Sequence, residues 1–124
     1  MKFITTRVHG YLDYLVGVLM IIAPWLFRFN RGGPETAIFV VLGIFALLYS
    51  LFTRYELGLV KAIPMGAHLG LDILSGILLL VSPWLFGFAH AVWVPHVIFG
   101  IVEIVVPLCT QTRPQYIEET ANVP

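Results

Sequence analysis

The sequence predicts an all-α integral membrane protein, a four-helix bundle made of two tandem two-helix hairpin repeats. Hydrophobic residues make up 59% of the 124 positions and charged residues 11%, whereas soluble domains contain about 25% charged residues. The charges leave four apolar stretches, each near the roughly 20 residues that a membrane-spanning helix needs. In addition, 11 of 21 positions are identical between residues 9–29 and residues 68–88. Because both hairpins have the same orientation, we expect a pseudo-two-fold axis along the membrane normal.

The first predicted helix follows a short basic lead and carries a proline near its far end. Thr5 or Thr6 suits the N-cap position, because a hydroxyl oxygen accepts a bond from a free N–H of the first turn. Pro24 removes one backbone hydrogen bond and is expected to kink the helix or close it. Trp25 follows at the depth where indole rings prefer to lie in a bilayer. A glycine-rich turn then leads to Pro34, which suits the first position of the second helix.

The second half of the chain repeats this plan. A polar connection leads into the third helix, which repeats the first, and the fourth helix aligns with the second, pairing Gly43 with Gly100 and Thr53 with Thr110. These boundaries predict one transmembrane domain and a polar cytoplasmic tail. The predicted helices are residues 8–29, 35–54, 65–88 and 92–110, in a domain at 1–110 with repeats at 8–54 and 65–110, and the tail is 111–124.

The distribution of Lys and Arg predicts the orientation in the membrane. Five of the seven basic residues lie in the N-terminus, the central connection and the tail, and two lie in the turn after the first helix. Because Lys and Arg are enriched in cytoplasmic segments, both termini are expected in the cytoplasm. The five are Lys2, Arg7, Arg54, Lys61 and Arg113, and the two are Arg28 and Arg31.

A Pro-Trp pair closes the first helix of each hairpin, as Ala23-Pro24-Trp25 in the first repeat and Ser82-Pro83-Trp84 in the second. The doubled hairpin with this closure resembles the SPW-repeat family of small bacterial and archaeal multi-pass membrane proteins. The resemblance extends over residues 8–110 and has the full tripeptide only in the second repeat. It implies a membrane fold and a prokaryotic plasma (inner) membrane, and it implies no activity.

The first and third helices each carry a histidine and an aspartate one turn apart. At about 100° per residue, His9 and Asp13 share one helix face, as do His68 and Asp72, and leucines occupy another face. We expect the polar face to point into the bundle and the leucine face toward lipid or a partner. Glu103 of the fourth helix is expected at a similar depth, in the inner half of the membrane, where ionisable side chains are costly. These five residues form the candidate polar cluster.

The cluster has two interpretations. In the structural one, the histidines and aspartates bond across the pseudo-two-fold axis and hold the hairpins in register. In the functional one, they form a proton relay or a small metal site, and the sequence leaves the identity of any metal or cofactor open. Near the outer surface, His96 is expected to be solvated or to cap a helix. The repeat signature is expected to supply interface anchors, namely Pro24, Trp25, Pro83 and Trp84.

For function, the sequence favours a non-enzymatic accessory or scaffolding protein that acts through helix–helix contacts. It contains no glycine-rich phosphate loop, nucleophile elbow, His-Glu-x-x-His or Cys-x-x-Cys motif. The alternative is a proton-linked carrier or metal-binding membrane module using the polar cluster, which predicts a water-filled cavity between helices 1, 3 and 4. Expected partners are the lipid bilayer and either a second copy of the chain or another membrane protein. The net charge of zero gives no indication of a nucleic-acid partner.

Overall fold

The computed structural model describes residues 2–114 and forms four α-helices. Every predicted helix boundary lies within three residues of the observed one. Most of the predicted tail, residues 115–124, lies outside the described residues, as does Met1. The helices are α1 at Thr6–Leu26, α2 at Pro34–Leu51, α3 at Met65–Leu85 and α4 at Val94–Leu108.

The helices pack as two hairpins, which confirms the predicted fold class. The closest packing is within the pairs α1–α2 and α3–α4, with a smaller contact between α2 and α3. Glycines allow each close crossing: a Cβ added to Gly43 would lie 2.9 Å from the carbonyl oxygen of Gly17, and one added to Gly76 would lie 2.8 Å from that of Gly100. Small residues at such crossings are typical of helix pairs in membranes.

Two short backbone bridges close the bundle at the end where α1 and α3 begin. Before α3, Ile63 donates to the carbonyl of Phe52 over 2.7 Å and accepts from Arg54 over 2.8 Å. Before α1, Ile4 makes the same pair of bonds with Cys109 and Gln111, both 2.9 Å long. The end of α4 is therefore tied to the start of α1 in the way that the end of α2 is tied to the start of α3. This equivalence is the pseudo-two-fold symmetry that the repeat predicts.

The outer surface of the bundle is apolar. Of the four helices between residues 2 and 114, three have the length and hydropathy of a membrane span. The fourth, α4, has 15 residues, about 22 Å at 1.5 Å per residue. On α1 and α3, the histidines and the prolines are buried, while leucines of the opposite face are exposed. A helix bundle with an apolar exterior is suited to lipid rather than water. The exposed leucines are Leu15, Leu26, Leu74 and Leu85.

Candidate functional site

Four side chains meet on the pseudo-two-fold axis, close to the N-terminal ends of α1 and α3. Nε2 of His9 lies 3.0 Å from Oδ1 of Asp13 and 2.8 Å from Oδ2 of Asp72. Nε2 of His68 lies 2.9 Å from Oδ2 of Asp13 and 3.3 Å from Oδ2 of Asp72. Imidazoles and carboxylates thus alternate in a closed arrangement, called the His/Asp ring below. The side chains of both aspartates are only 10% exposed and those of the histidines still less.

Threonines fix the orientation of both imidazoles. Thr110 bonds to Nδ1 of His9 over 2.9 Å, and Thr53 bonds to Nδ1 of His68 over 2.8 Å. Each threonine hydroxyl donates its own proton to the carbonyl four residues earlier, at 2.7 and 2.6 Å. The hydroxyl oxygen can therefore only accept from the imidazole, so Nδ1 carries a proton in both histidines. Nε2 faces the ring either as an imidazolium N–H or, in the neutral imidazole, as a lone pair.

The threonine contacts cross between the repeats. Thr110 follows α4 in the second hairpin and holds the histidine of the first, whereas Thr53 follows α2 and holds the histidine of the second. These two residues occupy equivalent places in the repeat. These two threonine–histidine bonds therefore link the hairpins in addition to the contacts within the ring.

Tyrosines orient both carboxylates. The hydroxyl of Tyr49 donates to Oδ1 of Asp72, and the hydroxyl of Tyr55 donates to Oδ2 of Asp13 over 2.7 Å. Tyr55 lies in the connection between α2 and α3 and is fully buried. Burial, together with the charge of Asp13, raises the pKa of Tyr55, so the phenol remains a donor. Both tyrosines come from the first repeat and its connection, so the ring is less symmetric than the backbone around it.

One nitrogen of the ring has no hydrogen bond. Nε2 of His68 lies within ion-pair distance of both carboxylates, yet neither contact has hydrogen-bond geometry. His68 is fully buried, so water does not satisfy this atom from the surface. Buried polar atoms of this kind are rare and call for a specific explanation.

Glu103, the fifth residue of the predicted cluster, lies beside the ring and not in it. Its Oε2 accepts a bond of 2.8 Å from Ser75. A cavity of about 60 Å³ lies between Glu103 and the ring, bordered by His9, Asp13 and Asp72. The three carboxylates therefore border one cavity. Most of the cavity wall comes from α1, α2 and α4, with Asp72 contributed by α3.

The family model of the SPW repeat domain matches residues 7–110. The chain belongs to the SPW repeat family. No curated protein and no solved structure matches it. This membership and the apolar helices make it an integral membrane protein.

The signature of this SPW repeat protein ends each repeated helix in the same way. Pro24 and Pro83 are buried in the last turn, and their carbonyls accept bonds of 2.8 Å from Phe29 and Phe88. The prolines therefore close the helices rather than kinking them. Trp25 and the equivalent Trp84 remain exposed, at 55% and 60%, and face the surroundings of the bundle.

The opposite end of the bundle differs from the prediction at His96. This residue was expected to be solvated or to cap a helix, but it is fully buried. Its Nε2 donates to the carbonyl of Glu35 over 2.9 Å, and its ring contacts Phe29, Phe39 and Phe88. The phenylalanine that ends each repeated motif packs against it, so the α1–α2 turn and the α3–α4 turn meet around this histidine.

Sequence reasoning missed the four side chains that support the ring. Thr53 and Thr110 were recognised only as equivalent positions of the two repeats, although a polar residue kept in both copies at a helix end was a usable signal. Tyr49 and Tyr55 bond the ring, whereas the equivalent residues of the second repeat supply no hydroxyl to it. Nothing in the helical periodicity marks them as partners of the aspartates.

Proposed function

We propose that this SPW repeat protein is a non-enzymatic accessory or scaffolding protein that acts through helix–helix contacts, and that the His/Asp ring locks its two hairpins together. The crossed contacts carry the proposal. Asp72 of the second hairpin bonds His9 of the first, and His68 of the second lies against Asp13 of the first. Two further links come from the crossed threonines.

The lock matters because α1 and α3 have little backbone packing on each other, in contrast to the helices within each hairpin. In a membrane, no hydrophobic effect drives two hairpins together, so packing and polar contacts have to do so. Individual intramembrane polar contacts average about 0.6 kcal/mol, whereas orphaning one partner of a buried ion pair costs about 3–5 kcal/mol. Because the ring is buried and its residues have several polar partners, we expect the loss of one partner to cost closer to about 3–5 kcal/mol than to about 0.6 kcal/mol.

The structural role is also supported by the way in which the carboxylates are used. Both oxygens of Asp13 and both oxygens of Asp72 have a histidine or tyrosine partner within the chain. A carboxylate held in this way is suited to fixing geometry. Catalysis would need a carboxylate in contact with a reacting group.

The proposal includes the orientation with both termini in the cytoplasm of a prokaryote. The bridges bring the start of α1, the end of α4 and the central connection to one end of the bundle. Five of the seven basic residues belong to these segments, which favours this end as the cytoplasmic one. The exposed leucine faces of α1 and α3 are then available to lipid, to a second copy of the chain or to another membrane protein.

The test compares Asp13→Asn and Asp72→Asn with a matched control. Asparagine keeps the shape of the side chain and removes its charge. We expect both variants to unfold at a lower fraction of denaturing detergent than the wild type, because a histidine loses its charged partner. His90→Gln alters an exposed histidine of the outer turn and should leave the transition unchanged. If both aspartate variants are as stable as the wild type, the proposal that the ring locks the hairpins together is refuted.

A carrier remains a second candidate function because of the cavity beside the ring. The cavity of about 60 Å³ can hold a few water molecules, and it is bordered by all three intramembrane carboxylates. Proton flux into liposomes that contain the purified protein tests this function. A flux that exceeds that of empty liposomes and is lost in Glu103→Gln would favour the carrier. Flux equal to that of empty liposomes would exclude it.

A further inference from the structure

The His/Asp ring has the composition and size of a mononuclear metal site. We propose that it binds one divalent transition-metal ion, with Nε2 of His9 and His68 and one oxygen each of Asp13 and Asp72 as ligands. One ligand atom from each residue can be chosen so that all four lie within 4.8 Å of one another. Metal sites in helix bundles are commonly built in this way, from inward-pointing side chains of facing helices.

The distances are close to those that a metal requires. Ligands at about 2.0–2.2 Å from a tetrahedral ion lie about 3.3–3.6 Å from each other. The four histidine–aspartate edges of the ring measure 2.8 to 3.3 Å, and the longest separation is at most 4.8 Å. Movements of about 1 Å, which rotation of the carboxylates can supply, convert one arrangement into the other.

The supporting residues present the correct atoms to the ion. Because Thr110 and Thr53 can only accept from Nδ1, a neutral His9 or His68 directs the lone pair of Nε2 into the ring. Metal-binding histidines almost always donate their other ring nitrogen to such a partner. The tyrosine hydroxyls fix the carboxylates in the same manner.

The unpaired nitrogen provides an independent indication of a ligand. Nε2 of His68 is fully buried and points into the ring, but it makes no hydrogen bond with either carboxylate. A cation between the four side chains would give this atom a coordination bond in place of two ion-pair contacts that lack hydrogen-bond geometry. It would also separate the two carboxylates by a positive charge.

Charge and ligand chemistry narrow the class of ion. Two neutral imidazoles and two carboxylates carry two negative charges. One divalent cation neutralises them, which avoids the cost of a net charge inside the membrane. Imidazole ligands favour zinc, iron, copper and nickel over calcium and magnesium, which prefer all-oxygen sites. The cavity beside the ring, with Glu103 on its wall, supplies the approach that a buried metal site needs.

The decisive experiment is a metal titration of the full-length protein. The protein is purified in mild detergent through a tag without histidine, stripped with a chelator and titrated with Co²⁺, whose visible absorption reports the ligands and their geometry. We expect one Co²⁺ per chain, absorption bands of a four-coordinate site with nitrogen and oxygen ligands, and displacement by Zn²⁺. Absence of saturable binding of both ions would overturn the proposal.

Variants locate the bound ion. His68→Asn should abolish the Co²⁺ bands, and the matched control His90→Gln should retain them. Thr110→Val leaves all four ligands in place, so it tests the site even if a ligand variant does not fold. Loss of an outer partner weakens metal binding by about 10–100-fold, and we expect a decrease of this size. Equal affinity of wild type, His68→Asn and Thr110→Val would show that the ion binds elsewhere and would refute the site.

This inference concerns the same ring as the proposed lock but does not depend on it. The stability of Asp13→Asn, measured in the presence of chelator, reports the lock alone, and Co²⁺ binding to the wild type reports the metal site alone. If the wild type binds no metal but Asp13→Asn still destabilises the metal-free protein, only the metal site is refuted. If the wild type binds metal but metal-free Asp13→Asn is as stable as the metal-free wild type, only the lock is refuted.

Discussion

The close crossing of α3 and α4 gives a prediction that can be worked out from the structure. In Gly76→Ala the new Cβ would lie 2.8 Å from the carbonyl oxygen of Gly100, 2.9 Å from Cγ1 of Ile104 and 3.0 Å from Cβ of Glu103. An ordinary contact begins at 3.4 Å, so the helices have to separate by about 0.6 Å. Overpacking of this kind costs about 1–3 kcal/mol. Up to about 1 kcal/mol of this cost is offset, because alanine favours a helix more than glycine does.

We expect Gly76→Ala to lower the free energy of unfolding by about 1–2 kcal/mol. Reversible unfolding in mixed micelles with increasing sodium dodecyl sulphate, followed by circular dichroism, measures this change. Two matched glycines serve as controls. Gly17 is the equivalent residue of the first repeat, but its new Cβ would meet the flexible side chain of Leu47, so a smaller loss is expected. At Gly70 the new Cβ would have no neighbour within 4 Å, so Gly70→Ala should not destabilise.

The ordering of the three variants is the critical result. If Gly70→Ala destabilises the protein as much as Gly76→Ala, the effect arises from the helix itself and the crossing is not tight. If Gly17→Ala is the most harmful, the carbonyl contact between Gly76 and Gly100 is not the limiting one. Either result would contradict the packing described above.

Three further predictions concern the support of the ring. Thr110→Val removes the acceptor of a buried imidazole N–H and should cost about 1–3 kcal/mol in the same unfolding assay; Thr36→Val, at the half-buried start of α2, should cost less. Tyr49→Phe should be more destabilising than Tyr14→Phe, because Tyr49 donates to a carboxylate and Tyr14 to a backbone carbonyl. Since the pKa of Tyr55 is raised above 10.0 in the folded protein, stability should fall as pH rises above that value, where only the unfolded chain loses the proton. Tyr55→Phe should make this alkaline loss less steep, and an unchanged slope would exclude the phenol as its source.

The inward direction of the ring residues could be predicted from one helix at a time. His9 and Asp13 are one turn apart, and their repetition in the third helix doubled the signal. That Glu103 would stand outside the ring could not be predicted in this way. Helical periodicity gives the direction of a side chain around its own axis, but the partner it meets depends on the distance and tilt between helices. Those are set by the glycine crossings.

The four apolar helices and the polar face could be predicted from hydropathy and from a period of 3.6 residues, and the duplication from the identity of residues 9–29 and 68–88. The sequence also marked the ends of α1 and α3, since proline lacks a donor and closes a helix wherever its neighbours permit. Three features could be found only in the packed bundle. Each imidazole is held by a threonine of the other repeat, two tyrosines of the first repeat and its connection bond the aspartates, and phenylalanines enclose His96. These contacts join residues far apart in the chain, and their geometry exists only once the two hairpins have packed against each other.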